Sequence, residues 1–348
     1  MFDFSQTSIQ GIVIHRVGSR SRGDELTLSK GLTQIASEDT LELLKVYFLQ
    51  PFKQPEFYSF AHETDLSFNE VFKFAEALFE SSDHLHETSV SIAKHLYQSS
   101  NHPNIKDGEL YVVLFSDCIV EGELVSAIGL FKSETKDIFI KIHERQDTFE
   151  VEQHQGISIR KLDKGCLIFN TEKDFGFKVV AVDNTNANDE ARFWQEIFLN
   201  IKRREDDFYQ TSGYINLCKD FVKDVLYHDG SMDRAEQVTL LNKTRDYFAQ
   251  TDIFNRDEFE ERVIRKPEIV DAFREYKNEY QQELGCDFKD SFTISIDAAK
   301  QAKKLFKSVI KLDKNFHLYI HGGRDRVEKG FDSNKGLNYY KLYFDAEG

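Results

Sequence analysis

The sequence predicts an α+β protein, with an antiparallel sheet and helices first, then a helical region ending in a small antiparallel β-meander. Apolar residues recur at every second position in most runs between residues 108 and 183, as in half-buried strands. They recur at every third or fourth position on either side of this region, as in amphipathic helices. With 348 residues, 40% of them hydrophobic, the chain can form two domains, which we expect at 1–184 and 185–348.

The N-terminal half begins with a predicted strand at Ile9–Val17, followed by helices at 40–48, 66–81 and 85–99. From Gly108 the period changes to that of strands. Strands of one antiparallel sheet are predicted at 110–120, 124–131, 138–143, 149–152, 157–161, 165–170 and 177–183. Glu121-Gly122 joins the first two of these strands in a hairpin.

The polar segment Asp183–Asp189 (DNTNAND) is the predicted linker between the two domains. The helix after it would end at Lys202-Arg203-Arg204, where positive charge stabilises a helix C-terminus. Further helices are predicted at 214–227, 234–248 and 267–284. Pro267 suits the first turn of the last helix, and Gly285 suits the position just after its end.

Three runs near the C-terminus, at 306–312, 316–321 and 339–344, alternate apolar and polar residues. If they pair as a meander, one sheet face belongs to a core and the other carries lysines, histidines and tyrosines. The connection Arg324–Lys335 would be a basic loop at the rim of that second face.

Charge is distributed unevenly along the sequence. Eleven basic and five acidic residues lie between Asp297 and Lys341, a local balance of +6, while the whole chain carries −15 and the remainder therefore about −21. Lysine and arginine neutralise phosphates, and the rings of tyrosine and histidine can stack on bases or sugars. The predicted nucleic-acid-binding residues are Lys300, Lys303, Lys304, Lys307, Lys311, His317, Tyr319, Arg324, Arg326, Lys329, Lys335, Tyr339 and Lys341. The alternative is a solvated sheet face, or tyrosines packed beneath another element.

Other polar clusters give weaker indications of a site. The loop Gly18–Gly23 (GSRSRG), with Arg16 before it, is either a second phosphate contact or a solvated turn. His84 and His86 are two residues apart, so on a helix they diverge by about 200° and do not predict a metal site. Asp117 with Glu134-Thr135-Lys136 matches a loose nuclease pattern, although SETKD reads as a turn.

Motifs for nucleotide cofactors, metalloprotease zinc or a serine nucleophile are not found in the sequence, so we expect neither an enzyme nor a cofactor. The four cysteines are widely spaced, as is typical of free thiols in a reducing cytoplasm. We also expect no signal peptide and no membrane contact.

Several stretches of sequence resemble the bacterial nucleoid-associated proteins of the NdpA/YejK type. They are LYVVLFSDCIVEGELVSAIGLF at 110–131, ARFWQEIFLNIKRREDDFYQTSGYINLCKDF at 191–221, FTISIDAA at 292–299 and FHLYIHG at 316–322. The resemblance implies a cytoplasmic protein found with the chromosome, contacting DNA or proteins that manage it, without a catalytic motif. The basic loop and the strand after it extend beyond the shorter members, so the site residues rest on charge and strand pattern alone.

We therefore expect a non-enzymatic protein that contacts double-stranded DNA with little sequence preference through its C-terminal face. An acidic adaptor recruited to the nucleoid by chromosome-associated proteins is the alternative, and a metal-dependent nuclease is the third hypothesis. The sequence leaves the oligomeric state open, with a homodimer among the options.

Overall fold

The structure is a computed structural model that describes residues 2–52, 56–102, 105–185, 193–226, 234–305, 309–311, 317–319 and 326–346. At 234, 235, 301–305, 309–311, 317–319, 327 and 329 it describes the backbone alone. The chain divides into two compact units, Met1–Arg204 and Glu205–Gly348. Most of the predicted linker lies outside the described residues, so the domain boundary at 184/185 stays a prediction.

The first unit is built on an antiparallel sheet. The strands of this unit are β1 (Phe2–Asp3), β2 (Ser8–Val17), β3 (Leu26–Thr27), β4 (Tyr58–Phe60), β5 (Gly108–Val120), β6 (Glu123–Ser133), β7 (Lys136–Arg145), β8 (Thr148–Ile157), β9 (Lys164–Phe169), β10 (Lys178–Asp183) and β11 (Ile201–Arg203). All of them except β7 and β8 belong to the main sheet. Among the described residues, nine strands pair in the order β11-β4-β10-β9-β6-β5-β2-β3, with β1 also on β5. The predicted hairpin turn is confirmed, since Glu121 and Gly122 both have positive φ between β5 and β6.

Helices cover both faces of this sheet. They are α1 (Glu38–Leu49), α2 (Glu70–Glu80), α3 (Leu85–Ser99) and a π-helical segment at Phe193–Leu199. Alternate residues of β5 and β6 supply the two cores: Leu110 and Leu130 pack with α2, α3 and the π-helical segment, and Tyr111 and Phe131 face α1. The ring of Phe48 in α1 stacks on Phe131 with centroids 4.4 Å apart. The predicted helices before Gly108 are confirmed.

The helix predicted to run through Arg204 is wrong beyond Leu199. Asn200 adopts a φ of 48°, a left-handed conformation that asparagine tolerates, and the chain turns there. Ile201–Arg203 then forms the edge strand β11, paired antiparallel with β4. Because Ile201 is only 6% exposed, burial of this side chain in the first core favours the strand over another helical turn.

The strands predicted at 138–143 and 149–152 do not continue the main sheet. Instead β7 and β8 pair with each other along ten residues each, from Lys136↔Ile157 to Arg145↔Thr148, in a two-stranded sheet of their own. We call this ribbon the β7–β8 arm. The strand predicted at 157–161 is also wrong, since β8 ends at Ile157.

The second unit is mainly helical. Its helices are α4 (Asp207–Phe221), α5 (Arg234–Gln250), α6 (Arg256–Phe259), α7 (Pro267–Leu284) and α8 (Ile296–Leu305), with π-helical segments at Val222–Leu226 and Glu260–Ile264. A short antiparallel pair, β12 (Ile253–Asn255) and β13 (Ser291–Thr293), places Phe254 and Phe292 in a core with Tyr214 of α4. Pro267 opens α7 and Gly285, at φ 62°, ends it as predicted.

Two short hairpins replace the predicted three-stranded meander among the described residues. β14 (Val309–Lys311) pairs with β15 (His317–Tyr319), as expected. The third run, β17 (Leu337–Leu342), pairs with β16 (Val327–Asp332), which lies where a basic loop was predicted. The carboxylate of Asp332 accepts hydrogen bonds from the backbone N–H groups of Asn334 and Lys335, and this tight turn favours local pairing. The predicted α+β class is nevertheless confirmed, with N-terminal antiparallel sheet, central helices and small C-terminal antiparallel sheets.

Candidate nucleic-acid interface

Helix α8 holds the first predicted contact residues. Its N-terminus is fixed to α4, because the backbone N–H of Ser295 donates to Thr211 Oγ1 over 2.9 Å. Ala298 and Ala299 are buried, whereas Lys300 is exposed. Lys303 and Lys304 follow in the next turn of the same helix, with side chains outside the description. Lys307 and Arg324 lie outside the described residues.

The β14–β15 hairpin brings three more predicted residues into register. Lys311 is the cross-strand partner of His317, and Tyr319 is the partner of Val309. Antiparallel partners occupy the same sheet face, so the backbone places Lys311, His317 and Tyr319 on one face. This agrees with the arrangement predicted from their alternation.

The β16–β17 hairpin presents a tyrosine and a lysine to solvent. Tyr339 lies opposite Gly330 and is 47% exposed. Its ring covers the glycine so closely that a Cβ at Gly330 would lie 2.3 Å from Tyr339 Cζ. Lys335 is exposed in the turn between the strands, and Lys329 is the cross-strand partner of Tyr340. Any larger residue at 330 would therefore displace the Tyr339 ring from this position.

Carboxylates in this hairpin and just after it neutralise part of its positive charge. Arg326 forms an ion pair with Asp345 at 2.6 Å. The Lys341 ammonium lies 4.9 Å from the Tyr343 ring centroid and 4.0 Å from the Glu328 carboxylate. The contact with Tyr343, and then the charge of Glu328, raise the pKa of Lys341. Phosphates would have to compete with these carboxylates for Arg326 and Lys341.

Arginines of the first unit are held by carboxylates in a similar way. Arg16, just before the GSRSRG loop, pairs with Asp107, and Arg22 within the loop pairs with Asp24 at 2.7 Å. In the Lys202–Arg204 segment, Arg203 pairs with Glu56 at 2.7 Å and Arg204 with Glu172. Arg20 and Lys202 are exposed. These pairs are compatible with a structural role for most of the arginines in both segments.

The two carboxylates of the nuclease pattern lie at opposite ends of the β5–β6 ladder. Asp117 sits at a bulge with φ 59°, next to the pair Cys118↔Val125, while Glu134 follows the pair Glu109↔Ser133. Eight residues of extended strand separate the two ends, about 26 Å. These two carboxylates therefore do not share a metal ion.

Glu134 instead belongs to a buried ionic cluster. It is 2.8 Å from the Lys132 ammonium and 3.9 Å from that of Lys164, and all three side chains are almost completely buried. Burial lowers the pKa of Lys132, which also donates to the Lys106 carbonyl. Buried charges require such partners, so the cluster has a structural explanation.

The two neighbouring histidines are also separated. His86 Nε2 lies 2.9 Å from the Ser29 carbonyl oxygen, and His84 faces Glu87 at 3.6 Å. In the part of the chain that the structure describes, no group of three or more His, Cys, Asp or Glu residues could hold a metal ion. No helix among those residues has both the length and the apolar character needed to cross a membrane.

The sequence interpretation missed the β7–β8 arm as a separate feature. Ile138, Ile140 and Ile142 of β7 are each more than 60% exposed. Their alternation was visible in the sequence, but alternation is the same for a strand inside a sheet and for one in an isolated ribbon.

A family comparison accounts for most of the chain. The family model described as nucleoid-associated protein YejK matches residues 13–335. The chain belongs to this family. A search of the curated proteins gave no match. The range that matches the YejK family ends before β17, so Tyr339 and Lys341 lie beyond it. Family membership gives the protein a nucleoid-associated role.

Proposed function

We propose that this nucleoid-associated protein binds double-stranded DNA without catalysis, mainly through phosphates, using the segment 297–341. The observation that carries the proposal is the local balance of +6 in this segment, within a chain of net charge −15. Lys300 and Lys335 are exposed, and Lys311 and His317 are cross-strand partners in the β14–β15 hairpin. Exposed cations of this kind release counterions from phosphates when DNA binds.

Little sequence preference is expected from such a surface. Lysines contact phosphates as flexible point charges, and phosphate contacts position a protein on DNA without reading its bases. Tyr339 is half-exposed and offers a flat ring at the edge of the cationic segment. Stacking on such a ring tolerates any base or sugar. The proposed function is therefore non-specific association with the chromosome.

A matched pair of charge-reversal variants tests this proposal. The triple variant Lys300→Glu/Lys304→Glu/Lys335→Glu should bind a duplex of mixed sequence roughly 10- to 100-fold more weakly at low salt, because three phosphate contacts are lost. Lys30, Lys94 and Lys161 are exposed lysines of the first unit. Reversing these three instead changes the net charge equally and should have a much smaller effect.

Fluorescence anisotropy with a labelled duplex gives the affinities, and far-ultraviolet circular dichroism checks that both variants fold. Equal weakening by the two triple variants would mean that overall charge, and not the segment 297–341, governs binding. Unchanged affinity in the first variant would reject the proposed surface.

An adaptor that reaches the nucleoid through another protein is the second candidate. It is favoured by the carboxylates that hold Arg326 and Lys341, which reduce the charge available to DNA. Under this alternative the pure protein binds no naked duplex at any salt concentration. Its recovery with chromosome-associated proteins should then survive nuclease treatment, whereas DNA-mediated recovery should not.

A further inference from the structure

The β7–β8 arm exposes an apolar stripe on one of its faces. Ile138, Ile140 and Ile142 alternate along β7, and Phe149 and Val151 lie across from this row on β8. These five side chains are 61–68% exposed. An exposed, flat and apolar edge strand readily pairs with another strand, so natural proteins usually cover or charge such edges.

The root of the arm is fixed to the main sheet. The carboxylate of Asp163 accepts hydrogen bonds from the backbone N–H groups of Glu134 and Thr135 at 2.6 and 2.8 Å, and from Thr135 Oγ1 at 2.9 Å. Lys136, the first residue of β7, pairs with Glu109 of β5 at 2.8 Å. A ribbon held this way presents its edge in a defined direction, which reduces the entropic cost of binding a partner.

The charge of the arm disfavours a nucleic acid as its partner. Residues 136–157 contain three basic side chains and five acidic ones, a balance of −2. On the polar face, Arg145 pairs with Glu150 at 3.0 Å, and His154 lies 3.1 Å from Glu152. An anionic ribbon with an apolar stripe is better suited to a protein surface than to phosphates.

The outer edge of β7 carries backbone hydrogen-bonding groups that point away from β8. A two-residue turn, Gln146-Asp147, joins the strands, so the closing pair Arg145↔Thr148 exchanges both backbone hydrogen bonds. Alternation along the strand then directs the N–H and C=O groups of Ile138, Ile140 and Ile142 away from β8. Among the described residues, no third strand pairs with this edge.

We propose that this edge binds the same edge of a second copy of the chain, as an antiparallel pair centred on Ile140. Around a two-fold axis at Ile140, Ile138 then lies opposite Ile142 of the second copy. Lys136 lies opposite Glu144, and Asp137 opposite His143. Each of these contacts occurs twice, and roughly ten backbone hydrogen bonds join the arms into one four-stranded sheet.

The register is selected by charge as well as by apolar contact. Phe139, whose ring stacks on His154 with centroids 5.6 Å apart, lies opposite Lys141 of the second copy, a cation–π geometry. A shift that centres the pair on Lys141 would place two identical ammonium groups opposite each other, which is unfavourable. The sequence of β7 is thus self-complementary in the centred register.

Single cysteines distinguish this register from other modes of contact. Cys118, Cys166 and Cys218 are buried and Cys286 is half-buried, so the variants are made in a Cys286→Ser background. Ile140→Cys should form an intermolecular disulfide under mild oxidation, since its Cα lies about 5.5 Å from its symmetry mate in such a pair. Ile142→Cys is the matched control, because its own symmetry mate is about 14 Å away along the strand.

Ile138→Cys combined with Ile142→Cys should restore the cross-link. Sedimentation equilibrium of the wild type up to about 200 μM should show a dimer that Ile140→Lys dissociates through like-charge repulsion. Equal cross-linking at 140 and 142, a dimer insensitive to Ile140→Lys, or a monomer throughout would each overturn the proposal. A wild-type monomer would assign the arm to a different partner.

Discussion

At the scale of single residues, the first unit contains a closed set of hydrogen bonds that requires a neutral histidine. His15 Nδ1 accepts from the backbone N–H of Ser29 at 3.1 Å, so the ring proton lies on Nε2 and is donated to Ser89 Oγ at 2.9 Å. Ser89 Oγ donates in turn to the His86 carbonyl at 2.7 Å, and His86 Nε2 reaches the Ser29 carbonyl. The set links β2 to α3 inside the core.

We expect this arrangement to make the first unit sensitive to acid. Burial, and then the neighbouring His86, lower the pKa of His15 from 6.5 to about 4. Between these values the unfolded chain binds a proton that the folded chain does not, so the free energy of unfolding falls as pH falls from about 6.5 to 4. The full loss is on the order of 3 kcal/mol.

Fluorescence of Trp194 can follow this loss in urea titrations at pH 7, 5.5 and 4.5. The chain has one tryptophan, and it is fully buried in the core of the first unit. His15→Gln should flatten the pH dependence of the free energy of unfolding. The glutamine amide does not titrate, and its oxygen can still accept a hydrogen bond at every pH. His84→Gln, at an exposed position, serves as the control and should retain the wild-type slope. If the free energy of unfolding of His15→Gln depended on pH as steeply as that of the wild type, His15 would not be the cause of the acid sensitivity.

At the scale of elements, the sequence predicted helices and most strands where local signals were sufficient. Helical spacing located α2 and α3, and the Glu121-Gly122 turn located the β5–β6 hairpin. The pairing of strands was less predictable, because it depends on burial by distant residues. Nothing local distinguished the β7–β8 arm from the main sheet, or the edge strand β11 from another helical turn.

The C-terminal site shows the same limit. Charge counting identified a basic segment, but it could not show that Arg326 lies against Asp345 or that Lys341 lies near Glu328. Gly330 and the charges around it concealed β16, since glycine and charged residues are weak strand formers. In the structure the Tyr339 ring fills the space that glycine leaves.

These ion pairs lead to a prediction about the β16–β17 hairpin. In the variant Glu328→Gln/Asp345→Asn, two negative charges are removed beside Lys341 and Arg326. If DNA binds this hairpin, the affinity of the variant for a duplex should rise severalfold at low salt, because carboxylates no longer compete with phosphates for Arg326 and Lys341. The hairpin should remain folded, since exposed ion pairs contribute little to stability.

Fluorescence anisotropy with the labelled duplex measures this gain. The matched control is Glu25→Gln/Glu123→Gln, which removes the same two charges at exposed positions of the first unit. An equal gain in the control variant would show an effect of net charge alone. Unchanged binding by the hairpin variant would place DNA elsewhere on the molecule.

At the scale of the whole molecule, an anionic chain and a cationic segment coexist because salt limits the range of their fields. Charges beyond about 8 Å are largely screened at physiological ionic strength, so the net −15 does not prevent local contact with phosphates. At low salt the attraction between the cationic segment and phosphates is stronger, because the counterions that binding releases from DNA then enter a dilute solution. Binding that depends on segregated charge should therefore respond strongly to salt.

A salt series of DNA affinity makes this expectation quantitative. For contacts to four to six phosphates, log K should fall with log salt with a slope between about −3.5 and −5.5. Lys300→Glu/Lys304→Glu/Lys335→Glu should make the slope shallower by about 2.7, since each lost phosphate contact removes about 0.9. The first-unit control, with Lys30, Lys94 and Lys161 reversed, should retain the wild-type slope even if its affinity shifts slightly. A slope near zero with measurable affinity would mean that phosphate neutralisation is not the basis of binding, because the slope measures the number of phosphates that the protein neutralises.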